Sequence, residues 1–258
     1  MKHLIRWTLR YIPRPVLHRI AVPLGRVLAW LLRGHRFEDP IDGRQYRCLL
    51  PYGRLRSRPN ALAPGSLSLE RHRLLWLYLQ KETPFFQAPL RVLHIAPEWC
   101  FLRPFRRLLK GHYVTADLES PWADIKMDIH HMPFQDDSFD VVLCNHVLEH
   151  VNDDRLALRE IYRVLRPGGW AILQSPVDPT RETTFEDPSI TSLREREKNF
   201  GQADHVRLYG RDYALRIREA GFLVEEVDFT GQLLPTEIER YALPVGEKIY
   251  KAVKPSPS

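Results

Sequence analysis

Cysteine is scarce in this chain. Cys48, Cys100 and Cys144 are its three in 258 residues, an odd and widely spaced set that excludes both a disulfide framework and a four-cysteine metal site. A reducing, intracellular setting is the expectation that follows. No acidic residue precedes Glu38. No unbroken apolar run of spanning length exists either, because His18, Arg19, Pro23 and Arg26 interrupt the stretch from Val16 to Leu32. That stretch is not followed by a small-residue cleavage site, so no secretory signal is expected. Internal repeats are also missing, which excludes a repeat array.

What is present is the composition of a folded globular chain, 44% apolar, long enough for one substantial core and a smaller appendage. The formal charge of +6 is concentrated at one end. Residues 1–60 hold 13 Lys and Arg against Glu38, Asp39 and Asp42, a net of +10, which leaves −4 for residues 61–258. The basic end also carries Leu4, Trp7 and Trp30. Two readings stay open for it: a helical arm packing on the protein itself, and a segment lying in the headgroup zone of an anionic membrane. Arg54, Arg56 and Arg58 alternate, but neither a recognition helix nor an aromatic-studded sheet accompanies them, and nucleic acid is not an expected partner.

Three regions follow: a basic amphipathic arm over 1–36, a Pro/Gly/Arg-rich segment over 37–67 with little periodicity, and an α/β domain over 68–258. Ser66 or Ser68 is the expected cap of a helix running to Gln80. Arg91–Ala96 reads as a buried strand, Phe101–Leu109 as a helix and His112–Asp117 as the next strand, a right-handed parallel crossover. A third strand is expected to end at Asp128, and Val141–Cys144 is the fourth, with Asn145 and His146 at its carboxyl end. A helix from about Asp153 to Val164, the turn Pro167-Gly168-Gly169 and the strand Trp170–Gln174 come next. Leu208–Ala220 has helical spacing, and Phe222–Val227 and Ile249–Val253 are the last strands, joined by a loop over 231–247. The expected architecture is a Rossmann-like three-layer α/β sandwich with a mainly parallel seven-stranded sheet and one late antiparallel strand. The long connection 175–207 leaves a strand's carboxyl end and reads as a substrate cover.

Ligands of open α/β sheets sit at those carboxyl ends. A carboxylate at Asp117 is suited to accept both ribose hydroxyls of an adenosine-containing cofactor, and Asp128 with the apolar residues after it suits an adenine ring. Asn145 and His146 close the other side. His146, Glu149, His150 and His205 are candidate bases, with His146 and His205 preferred and Glu149 and His150 read as helix-surface groups. Their spacing does not single out a metal, so none is assigned.

The run His131-Met132-Pro133-Phe134, Ser138-Phe139-Asp140-Val141-Val142, Val147-Leu148-Glu149-His150 and Arg163-Val164-Leu165-Arg166-Pro167-Gly168-Gly169 resembles the class I S-adenosylmethionine-dependent methyltransferases with small-molecule substrates, over about residues 90–221. The resemblance implies S-adenosylmethionine as cofactor, held by His94, Ala96, Pro97, Glu98, Asp117, Leu118, Asp128, Ile129, Asn145 and His146, and methyl transfer to a small or membrane-associated acceptor. One departure stands out. Ala96-Pro97-Glu98 replaces the family's Gly-x-Gly-x-Gly loop, and it resembles a divergent branch in which this Ala-Pro-Glu form recurs. The alternative is therefore a catalytically inactive, methyltransferase-like cofactor-binding or interaction protein. A dehydrogenase is the weaker rival, because the first turn has no glycines to cradle a pyrophosphate. Upstream, residues 37–43 and 60–66 resemble the two knuckles of a zinc ribbon whose ligand positions are Asp39, Asp42, Ala63 and Ser66, a set without cysteine. The expected location is cytoplasmic or peripheral on the inner face of a membrane.

Overall fold

The structure is a computed structural model that describes residues 14–53 and 57–257, with side chains from residue 21 onward. The expectations for Leu4, Trp7, Arg54 and Arg56 lie outside the described residues. The chain divides into two compact units. Residues 1–84, 99–104 and 229–247 form one, and residues 85–98, 105–228 and 248–258 form the other.

The first unit opens with helix α1 (Arg14–Leu31), which continues through Pro23 where the sequence suggested a break. Its inner side is small by necessity: a Cβ on Gly25 would approach the Pro64 carbonyl oxygen. Ala29 joins Phe37, Tyr46, Leu49 and Ala63 in a minor core. The arm ends earlier than residue 36, because β1 (Arg33–Asp39) already pairs antiparallel with β2 (Arg44–Tyr46), and β3 (Leu50–Tyr52) pairs with β4 (Arg58–Leu62). The segment expected to lack periodicity is thus two short hairpins.

Helix α2 (Glu70–Glu82) is not capped by Ser66 or Ser68. Leu69 occupies the cap position, and its N–H donates to the His72 ring at 3.0 Å. The two serines instead donate their hydroxyls to one Asp39 oxygen, so two ribbon-ligand positions, Asp39 and Ser66, hydrogen-bond each other. Arg73 explains why residues 68–84 and 229–247 group with this unit rather than with the α/β domain. Fully buried, its guanidinium donates to the carbonyls of Ala61, Ser68, Tyr241 and Ala242. The expected 231–247 loop contains the short helix Pro235–Arg240. Helix α3 (Trp99–Leu109) contributes its first six residues to this unit, where Phe101 stacks on Trp76.

The second unit is the α/β sandwich. Its seven strands are β5 (Val92–Ile95), β6 (Tyr113–Asp117), β7 (Ile125–Lys126), β8 (Phe139–Asn145), β9 (Leu165–Gln174), β12 (Leu223–Val227) and β13 (Ile249–Val253), in spatial order β12-β13-β9-β8-β5-β6-β7. Only β13 runs antiparallel to its neighbours, inserted between β9 and β12. The third strand stops at Lys126 rather than Asp128. Every residue of β5 is buried, as both faces of a parallel sheet require. The expected Pro167-Gly168-Gly169 turn lies within β9, where the register with β8 shifts and Gly168 has φ +78°, a conformation glycine takes without strain.

Helix α4 (Asp154–Val164) starts where Asp153 accepts the Leu156 N–H at 2.8 Å, and lays Ala157, Leu158, Ile161 and Val164 on the sheet core. The 175–207 connection is not formless. It holds β10 (Phe185–Glu186), which pairs with β11 (Arg207–Leu208), and α5 (Leu193–Phe200). Leu208 is consequently strand, and the following helix, α6 (Tyr213–Glu219), is shorter than its sequence pattern suggested.

Candidate active site

The sheet reverses its winding between β5 and β8, and the carboxyl ends of these strands form the crevice where open α/β sheets take ligands. Ile95 is in register with Cys144, so the chain leaves the sheet at Ala96 beside Asn145. Ala96 has φ +50°, and its N–H donates to the Ala116 carbonyl at 2.8 Å. Alanine here makes the backbone reversal for which glycine is the ordinary choice. Pro97 follows, buried, without an N–H to offer.

Glu98 sits at the cap position of α3, with its Oε2 2.6 Å from His94 Nε2, while His94 Nδ1 is 2.7 Å from the Tyr113 hydroxyl. His94 is fully buried. Asp117 ends β6. One of its oxygens accepts the N–H groups of Glu119 and Ser120, both at 2.7 Å, which fixes the carboxylate at the strand tip. Asp128 accepts from the His130 N–H and faces the His130 ring, and these bonds hold its exposed carboxyl below the ordinary range. Of the apolar residues named with the cofactor, Leu118 is exposed and Ile129 belongs to the sheet core.

Asn145 is the informative residue. It is 5% exposed, and neither amide atom has a hydrogen-bond partner among the described residues. A buried amide with nothing to bond is costly, by about 1–3 kcal/mol per group, and a site that keeps one is built to meet a polar ligand.

The loop after β8 carries the titratable groups. His146 has φ +54°, donates its N–H to the Gln174 carbonyl at 2.7 Å and places Nδ1 3.3 Å from Glu149 Oε1. Glu149 is 2% exposed and its other oxygen accepts from the Ser175 hydroxyl at 3.0 Å. Burial opposes its charge, but the His146 hydrogen bond and charge outweigh that and hold the carboxyl below its ordinary value. Glu149 accepts from His146 Nδ1; in the neutral ring Nε2 is then an acceptor, and that atom is buried with no hydrogen-bond partner among the described residues.

Sequence reasoning placed Glu149 on a helix surface and missed it. A carboxylate three residues from a histidine is too common to signal a buried pair.

The 175–207 segment is tied to this loop. Val206 N–H donates to the Glu149 carbonyl at 2.9 Å, and buried Arg207 donates to the carbonyls of Leu148, Val151 and Asn152. His205 thereby comes against His150, ring centroids 4.7 Å apart and nearly perpendicular, and burial pushes its imidazole below the ordinary range. Arg207 and Arg216 both face Asp154 and Glu186, a buried ion network with Tyr209 donating to Asp154. Cys144 is fully buried and its thiol is pushed far above the usual range by desolvation, an inert packing group.

Comparison with known proteins bears on this arrangement directly. A family described as a methyltransferase domain matches residues 102–173, from α3 to the end of β9. The uncharacterised protein YafE of Escherichia coli K12 is 32% identical over 100 residues, covering 37% of this chain and 44% of that protein. A demethylmenaquinone methyltransferase of Streptomyces griseus is 38% identical over 61 residues, 23% of this chain and 26% of that one. Among solved structures, the [4+2]-cyclase SpnF superposes over 85% of this chain and 92% of its own, with TM-score 0.51 and 16% identity, a likeness of fold alone. The chain spans less than half the length of these curated relatives. The stretch that resembles a methyltransferase domain, residues 102–173, includes strands β6 to β8 and most of β9. The family's cofactor is S-adenosylmethionine, and the orphaned amide of Asn145 between Ala96 and His146 fits a polar ligand of that kind.

Proposed function

We propose that this protein transfers a methyl group from S-adenosylmethionine to a small or membrane-associated acceptor. The observation that carries the reading is the unpartnered, buried Asn145 amide at the switch point, next to a left-handed Ala96. When bound, the cofactor supplies the methyl on a sulfonium that leaves readily, so the protein's work is alignment and exclusion of water. Asp117 would hold ribose hydroxyls with the oxygen not used by its own loop, Glu98 would take the ammonium end, Asn145 would bond the ligand from the β8 side, and Asp128 would serve the adenine. His146, oriented by Glu149, offers Nε2 to a proton if the acceptor arrives protonated. The 175–207 cover keeps water away, and His205 on it is the second candidate base.

A non-catalytic, cofactor-binding or interaction role is the second reading, favoured by Pro97 in the first loop. Titration calorimetry with S-adenosylmethionine is the first test. One-to-one binding is expected, weakened at least tenfold in Asp117→Asn, which keeps the acceptor for the loop N–H groups and removes the charge. Absence of binding by well-folded protein removes the enzyme reading and leaves only an interaction role; binding without turnover on any acceptor leaves the second reading.

The membrane part of the reading rests on α1. Leu24, Val27, Trp30 and Leu31 are each at least half exposed and share one side of the helix. Arg26 and Arg33 flank them, and with Arg44 these line a cleft of about 550 Å³ that suits an anionic headgroup. No helix among the described residues is long and apolar enough to cross a membrane, and a peripheral contact is the form this proposal takes.

A further inference from the structure

Glu149, His150 and His205 each present one ligand atom, and these atoms lie within 4.8 Å of one another. Two features separate this group from a chance cluster. His205 is 4% exposed and its Nδ1 lies 3.2 Å from the Phe200 carbonyl oxygen. A carbonyl only accepts, so Nδ1 carries the proton and Nε2 keeps a lone pair. That Nε2 is buried and has no hydrogen-bond partner among the described residues.

His150 repeats the pattern, its Nδ1 3.0 Å from the Asp204 carbonyl oxygen, which leaves its Nε2 as the acceptor nitrogen. Imidazoles that ligate metals are held in this way, with the second nitrogen donating to a backbone carbonyl or carboxylate. Glu149 is 2% exposed, and the Ser175 hydroxyl and the His146 ring orient its oxygens while leaving lone pairs to spare.

We propose that Glu149, His150 and His205 bind a divalent cation of the Zn²⁺ class. Two imidazoles and one carboxylate form a three-ligand set of the kind that leaves a fourth tetrahedral position open to water or an incoming oxygen. Coordination draws the ligand atoms to roughly 3.3 Å from each other, closer than the 4.8 Å within which they lie here. The ion clasps the 175–207 segment, through His205, to the loop that follows β8. Sequence spacing hides the site because His205 lies far along the chain from Glu149 and His150. As a statement about the acceptor it rests on the methyl-transfer reading, and the open position then favours an acceptor with an oxygen near the atom to be methylated. As a statement about metal binding it does not depend on that reading.

The test uses the full chain stripped of metal with a chelator and titrated with Zn²⁺, and separately loaded with Co²⁺ for its visible spectrum. One equivalent of Zn²⁺ at micromolar affinity or better, with the intense visible bands of four-coordinate Co²⁺, is the expected result. His205→Ala and His150→Ala each weaken Zn²⁺ binding at least tenfold and abolish those bands. The His150 side chain is 33% exposed, so its removal opens little space, and thermal unfolding of the metal-free variants checks that both fold. No stoichiometric binding, or binding that is the same in wild type and both variants, overturns the proposal. S-adenosylmethionine titration of the same wild-type preparation keeps the two ideas apart, since loss of cofactor binding with metal binding intact refutes the methyl-transfer reading alone.

Discussion

Asp42 illustrates what burial beside a second carboxylate does to one residue. Its side chain is 23% exposed, its Oδ1 accepts the Arg44 N–H at 3.0 Å, and burial together with the nearby Asp39 charge pushes its carboxyl up to about 6. An unfolded aspartate titrates near 3.9. The folded state therefore holds more protons than the unfolded state between about pH 4 and pH 6, and stability falls as pH rises through that window. Asp42→Asn keeps the acceptor for Arg44 and removes the charge. Thermal melts are expected to show the variant about 2–4 °C above wild type at pH 7 and equal to it at pH 4. Equal melting at both pH values would sink the argument. At this scale the sequence was legible where chemistry is local: Asp117 and Asn145 lie at the strand ends where their types suggested. It named Glu149 but put it on a helix surface, whereas its burial depends on Ser175 and Val206 arriving from the next strand and the 175–207 segment.

At the scale of elements, the 175–207 segment is tied to α4 and α6 by charge. Asp154, 2% exposed, receives Arg216 at 2.8 and 3.0 Å and the Tyr209 hydroxyl at 2.8 Å, with Arg207 3.8 Å away. Desolvation opposes its ionisation, but the Arg216 hydrogen bonds and the Arg207 charge prevail and keep it below its ordinary value. Removing one partner of such a buried network leaves the others uncompensated, at a cost of about 3–5 kcal/mol. Chemical denaturation of Asp154→Ala is expected to show a loss of that size; a change below 1 kcal/mol would mean that the arginines find water instead. Periodicity foresaw α4, β8 and β13 closely, because each buries a regular face. It misjudged the helix after residue 207, since pairing of Arg207 and Leu208 with Phe185 and Glu186 is a long-range event.

The whole chain comprises two units, and the charge asymmetry belongs to the first. Each basic residue near an anionic surface adds about 1 kcal/mol of attraction, and the exposed Leu24, Val27, Trp30 and Leu31 side of α1 adds apolar area to it. Flotation with vesicles containing phosphatidylglycerol is the measurement. Wild type is expected to float, less at high salt, and the double substitution Leu24→Glu, Trp30→Glu is expected to reduce the bound fraction several-fold without altering thermal unfolding, because both side chains are exposed. Undiminished flotation of the variant would refute a role for this face. Deleting residues 1–36 is the poorer experiment, since it removes Ala29 and most of β1 along with the exposed side chains.

Hydrophobic spacing, the Gly turn and the carboxylates at strand ends were enough to specify an open α/β sheet with a ligand crevice, because each of these is a property of neighbouring residues. The tertiary structure alone decided that Ala96 takes a glycine's conformation, that His94 stands behind Glu98, and that His205 meets Glu149 and His150. Those outcomes arise from contacts between segments far apart in the chain, which local propensity does not encode and only the packed fold selects.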